Sequence, residues 1–177
     1  MRRSAIPVLL AAVGLSAWTV AAPAGAGVSR SSASVQTLES GVLVDINSVR
    51  QDHGLAPLHL SPKLSAAARQ HSAEMAKDGY FSHNSANGGT FDKRIIRYYS
   101  SAGRHFWSVG ENLLWSSPDI DPAGAVQMWM NSPPHRENLL TARWREIGLS
   151  AVHVPAAPGA YGGREVTIVT ADFGVRR

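Results

Sequence analysis

One stretch in the second half of the chain carries the most structural information: Trp129-Met130-Asn131-Ser132-Pro133-Pro134-His135-Arg136-Glu137-Asn138-Leu139-Leu140. It follows Asp121-Pro122, an N-cap residue with proline at the first helical position, so a helix is predicted to lead into it. That helix must end before Pro133, because a residue that precedes proline resists the helical region. Ser132 then lies where the N-cap of a second, short helix over 135–141 is expected.

The upstream part of the chain is also predicted to be helical. Apolar side chains recur at helical spacing in three segments that are bounded by capping or stop residues: 38–54, 61–79 and 90–99. His71 lies on the apolar face of the second segment, which predicts a core histidine with satisfied ring nitrogens. Trp129 and Met130 are predicted to be core residues for the same reason of spacing.

Toward the C-terminus the pattern changes to that of strands. Segments 147–154 and 166–175 are rich in β-branched residues, and a Pro/Gly-rich connection over 155–163 separates them. This is typical of an antiparallel hairpin with a long loop. Segments 106–109 and 112–115 are further candidate strands. Since helices come first and strands later, the predicted class is α+β, with helices packed on an antiparallel sheet.

The composition excludes several classes of protein. The chain has 177 residues with 44% hydrophobic and 17% charged residues, which indicates a folded globular domain. With no cysteine, it has no disulfide scaffold, thiolate zinc site or cysteine nucleophile. The formal charge is +4 and becomes +2 without Arg2 and Arg3. Because no basic stripe is visible, we expect no nucleic-acid partner.

Residues 1–26 are predicted to be a secretory signal peptide. Two arginines open the chain, an apolar run follows over 6–20, and Ala24-Gly25-Ala26 supplies the small residues of a cleavage site. The run is shorter than the ~20 residues of a membrane span, so we expect no span after cleavage; the alternative is an uncleaved N-terminal anchor. Residues 27–34 form a flexible lead-in and 35–177 a single domain. Secretion without cysteines favours an extracellular protein of bacterial origin.

Three more short segments stand out, in chain order: Tyr80-Phe81-Ser82-His83-Asn84, Gly110-Glu111-Asn112-Leu113 and Ile147-Gly148-Leu149. Together with the stretch 129–140 they resemble the CAP superfamily of cysteine-rich secretory, antigen 5 and pathogenesis-related proteins, also called the SCP domain. The similarity is to its secreted bacterial branch and covers about 38–174. It implies a three-layer α-β-α sandwich with a central antiparallel sheet and a concave cleft.

The resemblance also implies which residues line that cleft. His83 and His135 match the two cleft histidines of the family, and Glu111 matches the glutamate of its G-E-N segment. Members with a complete tetrad carry a second glutamate three residues before the second histidine, where this chain has Ser132. The two histidines hold zinc in some members, so His83 and His135 are the candidate metal ligands. The missing carboxylate weakens the case for hydrolysis.

Without the resemblance, the chemistry of these three residues supports a metal site less strongly. Two imidazoles and one carboxylate are a reasonable zinc set with an open fourth position. The three residues are 28 and 24 positions apart, however, so no local spacing joins them. Ser132 lies three residues before His135, but no third group is evident that could orient the histidine of a nucleophile–base pair.

Three functions therefore stay open. We favour a secreted binding or interaction module whose ligand is a protein, lipid or glycan of the cell envelope or extracellular space, with a divalent metal as a clamp. The second hypothesis is a metal-dependent hydrolase of peptide or cell-wall material, with Glu111 as its candidate catalytic base. The third is a structural domain in which the polar side chains brace loops, as a buried hydrogen bond does.

Overall fold

The computed structural model describes residues 32–177, so the predicted signal peptide and residues 27–31 lie outside the described residues. The helices are α1 (Ser32–Asp52), α2 (Pro62–Asp78), α3 (Phe91–Ile95), α4 (Pro122–Asn131) and α5 (Pro133–Leu139). The strands are β1 (His59–Leu60), β2 (Trp107–Ser116), β3 (Glu146–Ala157) and β4 (Arg164–Arg176). Helix α1 begins three residues inside the predicted lead-in.

The four strands form one mixed sheet in the order β1-β3-β4-β2. Strand β2 is antiparallel to β4, and β4 to β3, as predicted, but β1 is parallel to β3. The prediction of a wholly antiparallel sheet is therefore wrong at this edge, because a strand of two residues has no period to detect. Strand β2 is continuous where two pieces were predicted, since buried Gly110, Glu111 and Asn112 interrupt its apolar pattern.

Helices cover both faces of this sheet, which confirms the three-layer α-β-α sandwich. Helices α1 and α4 pack on one face against a large core that includes Ile147, Leu149 and Phe173. Helix α2 packs on the other face against Val166 and Ile168, and α3 lies beside it. The two sets of strand residues alternate, so β2, β3 and β4 each contribute to both cores.

Helix α2 lies close to the sheet at Gly148. A Cβ atom on Gly148 of β3 would overlap the backbone of Leu64 and Ser65, so only glycine allows this approach. The contact is fixed further along the helix by Ser72, whose hydroxyl lies 2.8 Å from that of Thr170. This position directs the C-terminus of α2, and the loop after it, toward the edge of the sheet that β2 forms.

The connection over 155–163 holds the start of that loop. A short 3-10 turn in it (Gly159–Tyr161) docks on the end of α2, where the Ala160 N–H donates to the carbonyl of Gly79 at 2.8 Å. The buried Tyr161 donates its hydroxyl to the carbonyl of Tyr80, also at 2.8 Å. The connection therefore fixes the backbone three residues before His83.

The stretch 129–140 folds as the sequence predicts, with two differences. Helix α5 spans Pro133–Leu139, two residues earlier than the predicted 135–141. Asp121 caps α4 by accepting from the Gly124 N–H at 2.7 Å, and α4 ends before the two prolines. Trp129 is buried and Met130 packs on the same core, which confirms both as core residues. Ser132 is the N-cap residue of α5 by position, but its side chain makes no capping hydrogen bond. Its hydroxyl is directed to His135 instead.

Candidate functional site

The predicted site residues meet at the outer edge of β2. A cleft of about 420 Å³ opens there, and His83, Glu111 and His135 all line it. His83 comes from the loop after α2, on one face of the sheet, and His135 comes from α5, on the other. Ser132 lines a neighbouring apolar groove that shares His135 with the cleft. The structure thus brings together three residues that sequence spacing alone could not join.

Glu111 is held on both carboxylate oxygens. Its side chain is fully buried, while that of His83 is 48% exposed. The Nδ1–H of His83 donates to Oε1 at 2.8 Å; this nitrogen carries the proton because an ionised carboxylate only accepts. The Nη2 of Arg94 donates to Oε2 in a buried ion pair. Glu111 therefore orients His83 from behind and presents no free oxygen to the cleft.

Arg94 also fixes the loop that carries His83. Its Nη1 donates to the carbonyl of His83 at 3.1 Å and to the hydroxyl of Ser85 at 3.2 Å. One buried guanidinium thus ties the loop, through its backbone, to the carboxylate that orients the imidazole. His71 supports the same loop from α2: it is buried, and its Nε2 lies 2.8 Å from the carbonyl of Ser82. This confirms the prediction of a satisfied core histidine.

His135 is anchored by polar groups of α5 and β2. Its Nδ1 lies 2.9 Å from the hydroxyl of Ser132, and its carbonyl accepts from the Asn112 side chain at 3.0 Å. Burial, and secondly the neighbouring His83, lowers the pKa of His135. Within residues 32–177 no carboxylate bonds to His135, so the orienting group of a nucleophile–base triad is missing there.

Gly110 lets α5 close against β2. A Cβ at this position would lie 2.6 Å from Oδ1 of Asn138 and 2.9 Å from the ring of Trp144. Asn138 in turn donates to Oδ1 of Asn112 at 3.0 Å, which continues the polar contact between the helix and the strand. The glycine of the G-E-N segment is therefore required by packing beside the cleft.

Two charged residues behind the cleft were not predicted, Arg94 and Asp172. Asp172 is opposite Glu111 in the β2–β4 pairing, so both carboxyl groups lie on the same face of the sheet. Asp172 is fully buried, and neither of its oxygens has a hydrogen-bond partner among the described residues. Burial, and then the charge of Glu111, raises the pKa of Asp172 well above its usual range. Asp172 therefore takes up a proton more readily than an exposed aspartate does.

Asp172→Asn is expected to leave the protein at least as stable as the parent at neutral pH. Because its folded pKa is raised, Asp172 supports the fold fully below the unfolded pKa, and that contribution is lost as pH rises toward the folded pKa. Asparagine is nearly isosteric and cannot ionise, so the advantage of the variant should grow from about pH 4 upward. Chemical unfolding at several pH values measures this difference.

Asp52→Asn, at an exposed position, is the matched control and should show no such trend. A large loss of stability in Asp172→Asn at neutral pH would mean that Asp172 is ionised and paired in the folded protein.

The donor set available to a metal is smaller than the sequence suggests. Among residues 32–177 there is no group of three or more histidine, cysteine, aspartate or glutamate side chains that could hold a metal ion. With both Glu111 oxygens engaged, the candidates are the Nε2 atoms of His83 and His135, which have no hydrogen-bond partner in that part of the chain. A carboxylate behind a histidine is the usual outer-shell support of a metal ligand. Two protein ligands suit a metal that is completed by water or by a bound partner.

Comparison with known proteins agrees with the fold and with the order of these segments. The sequence model of the cysteine-rich secretory protein family, CAP, matches residues 43–173. The chain belongs to the CAP family. YkwD of Bacillus subtilis (strain 168) is 35% identical over 120 residues, which cover 67% of this chain and 44% of that protein. This CAP domain spans less than half the length of the curated relatives it matches.

Solved structures give the same result. An extracellular protein of Bacillus anthracis with an SCP domain has a TM-score of 0.59 and 28% identity, over 83% of this chain and 44% of that one. An outer surface protein of Borrelia burgdorferi has a TM-score of 0.63 over 81% of this chain and 96% of that one, and at 21% identity it supports the fold alone. From Ser32 to Arg177, the chain forms no helix with the length and apolar character that crossing a bilayer requires.

Proposed function

We propose that this CAP domain acts outside the cell as a binding module, with His83 and His135 as a divalent metal clamp at the centre of its cleft. One observation carries the proposal: both imidazoles are anchored through Nδ1, and both Nε2 atoms are left without a partner among the described residues. The ligand is a component of the cell envelope or the extracellular medium, of protein, lipid or glycan chemistry.

The histidines suit zinc in chemistry and in protonation. A neutral imidazole is the form that binds a metal, and the lowered pKa of His135 favours that form. The carboxylate of Glu111 keeps the proton of His83 on Nδ1 and so leaves Nε2 as the free lone pair. Bound zinc would supply a Lewis-acid contact for an oxygen atom of the ligand.

The hydrolase hypothesis has less support. A general base must reach the proton that it removes, directly or through one water molecule. Glu111 is fully buried, and its two oxygens are occupied by His83 and Arg94. Asp172 is buried behind it and faces Glu111 rather than the cleft. Binding without catalysis is therefore the function that this geometry supports best.

Zinc is expected to stabilise the parent protein against thermal unfolding and to leave His83→Ala and His135→Ala unaffected. A ligand that binds only the native state at ~100 times its Kd adds ~2.7 kcal/mol to the free energy of unfolding. A zinc titration followed by thermal unfolding measures the gain. His59→Ala is the matched control, because His59 is exposed and lies on β1, at the opposite edge of the sheet from β2.

The control variant should keep the full zinc response. No response of the parent at millimolar zinc, with both site variants merely less stable, would support the loop-bracing hypothesis instead. A response that survives either alanine substitution would place the metal elsewhere in the chain.

A further inference from the structure

Along β2, the backbone N–H and C=O groups of every second residue point away from β4, toward the cleft. In an antiparallel pair, the N–H and C=O of one residue point to the same side, and the side alternates along the strand. Phe106 exchanges both of its backbone hydrogen bonds with Arg177, and the pairing of β2 with β4 continues from there without a register shift. Even-numbered residues therefore face β4, and the odd-numbered ones face outward: Val109, Glu111, Leu113 and Trp115.

Part of this outward edge has no partner. The carbonyl of Leu113 accepts from the indole N–H of Trp129 at 3.1 Å, which agrees with its outward direction. No hydrogen bond from the described residues reaches the backbone of Val109 or Glu111 on that side. The Glu111 side chain is fully buried, but 6% of the surface of the whole residue is exposed. The exposed atoms therefore belong to its main chain. Such backbone groups need a partner from solvent or from a ligand.

The cleft continues along the strand rather than ending at the histidines. Gly110, Glu111 and Asn112 line the histidine cleft, whereas the next three residues of β2 line the apolar groove of about 260 Å³ that contains Phe81 and Met128. His135 lines both. Six strand residues span ~20 Å at 3.3 Å each, which is the length of an extended peptide of about six residues.

The two halves of this groove differ in chemistry. In the histidine half, the one acidic residue among the described lining residues is Glu111, whose oxygens are both occupied. That half therefore offers amide donors to an acidic side chain, and a metal held by the two Nε2 atoms would bind its carboxylate. In the other half, the exposed Phe81 and Met128 offer contact to apolar side chains.

We propose that the ligand of the cleft is an extended peptide segment, which adds to the sheet as a strand along the outer edge of β2. Its backbone pairs with Val109 and Glu111, an acidic residue lies between His83 and His135, and apolar residues lie over Phe81 and Met128. Main-chain pairing supplies affinity in this mode, and the two side-chain subsites supply selectivity. The inference rests on the proposed function and narrows its ligand from envelope components in general to peptides.

The test is selection of a displayed library of all hexapeptides on the purified protein, followed by affinity measurement of the enriched synthetic peptides. We expect enrichment of peptides with an acidic residue toward one end and apolar residues toward the other. Val109→Pro removes one outward N–H and leaves the ladder with β4 intact, since proline is tolerated on an edge. It should lower affinity by about tenfold, as loss of one hydrogen bond can, whereas Val109→Thr should not.

Several outcomes would overturn the inference. One is the absence of any enriched peptide; another is binding that Val109→Pro leaves unchanged. A concentration-dependent dimer that Val109→Pro abolishes would assign the edge to a second copy of this chain. Zinc stabilisation that requires both histidines, together with failure of the peptides, would contradict the peptide inference alone. Failure of both experiments would contradict the proposed function as well.

Discussion

Arg94→Met should lower the free energy of unfolding by about 3–5 kcal/mol, the usual cost of removing one partner of a buried ion pair. Arg94 is fully buried, and its guanidinium is the cation that faces Glu111. Without it, Glu111 and Asp172 would be two adjacent buried carboxyl groups with no opposite charge. The backbone of the His83 loop would also lose its anchor. Chemical unfolding of the variant and the parent at neutral pH measures the difference.

Two further variants separate the ion pair from general damage to α3. Lys93→Met removes the exposed basic residue next to Arg94 in the same helix and should change stability by less than about 0.5 kcal/mol, as surface substitutions usually do. The double variant Arg94→Met/Glu111→Gln removes both charges and should recover part of the loss, since the uncompensated carboxylate is gone. A single Arg94→Met variant as stable as the parent would show that the pair contributes little to the fold.

The helices and strands that have a long run of periodic apolar residues, or a strong cap, could be predicted from the sequence. Helices α2 and α4 each begin with a capping position and a proline, and the hairpin of β3 and β4 has long β-branched segments. Strand β1 was not predictable, because its two residues are set by pairing with β3 and not by a local pattern. Helix α3 is also shorter than its apolar pattern suggests: it ends at Ile95, and Ile96, within the predicted segment 90–99, is 39% exposed.

The site could be predicted only in part. The family resemblance identified His83, Glu111 and His135, and the structure brings them to one cleft. Arg94 and Asp172, which lie behind these residues, were not predicted. They belong to segments whose sequences look like an ordinary charged helix and an apolar strand. Asp172 had a signal, because it is a carboxylate within a run of buried strand residues, where an ionisable group needs a partner. The residue that lies opposite Asp172, which is Glu111, depends on the register of β2 against β4, and the sequence does not contain that register.

Trp129→Ala should lower the free energy of unfolding by about 3–5 kcal/mol, because it leaves a large cavity in the core between α4 and β2. Trp129 is 1% exposed, and its indole N–H donates to the outward carbonyl of Leu113. The side chain thus both fills the core and holds α4 against the edge of the sheet beside the cleft. Met128→Ala is the matched control, since Met128 is its neighbour in α4 but is 45% exposed. Thermal or chemical unfolding of both variants gives the comparison.

Trp129→Phe separates the two roles of this residue. Phenylalanine keeps much of the apolar volume but has no N–H, so the hydrogen-bond part of the loss should be about 1 kcal/mol. The freed carbonyl of Leu113 would then add an acceptor to the outward edge of β2, next to the apolar groove. If peptides pair with that edge, Trp129→Phe should keep or strengthen their binding although it weakens the fold. Parallel losses of binding and stability in this variant would instead indicate that α4 must be held rigidly against β2 before any ligand can bind.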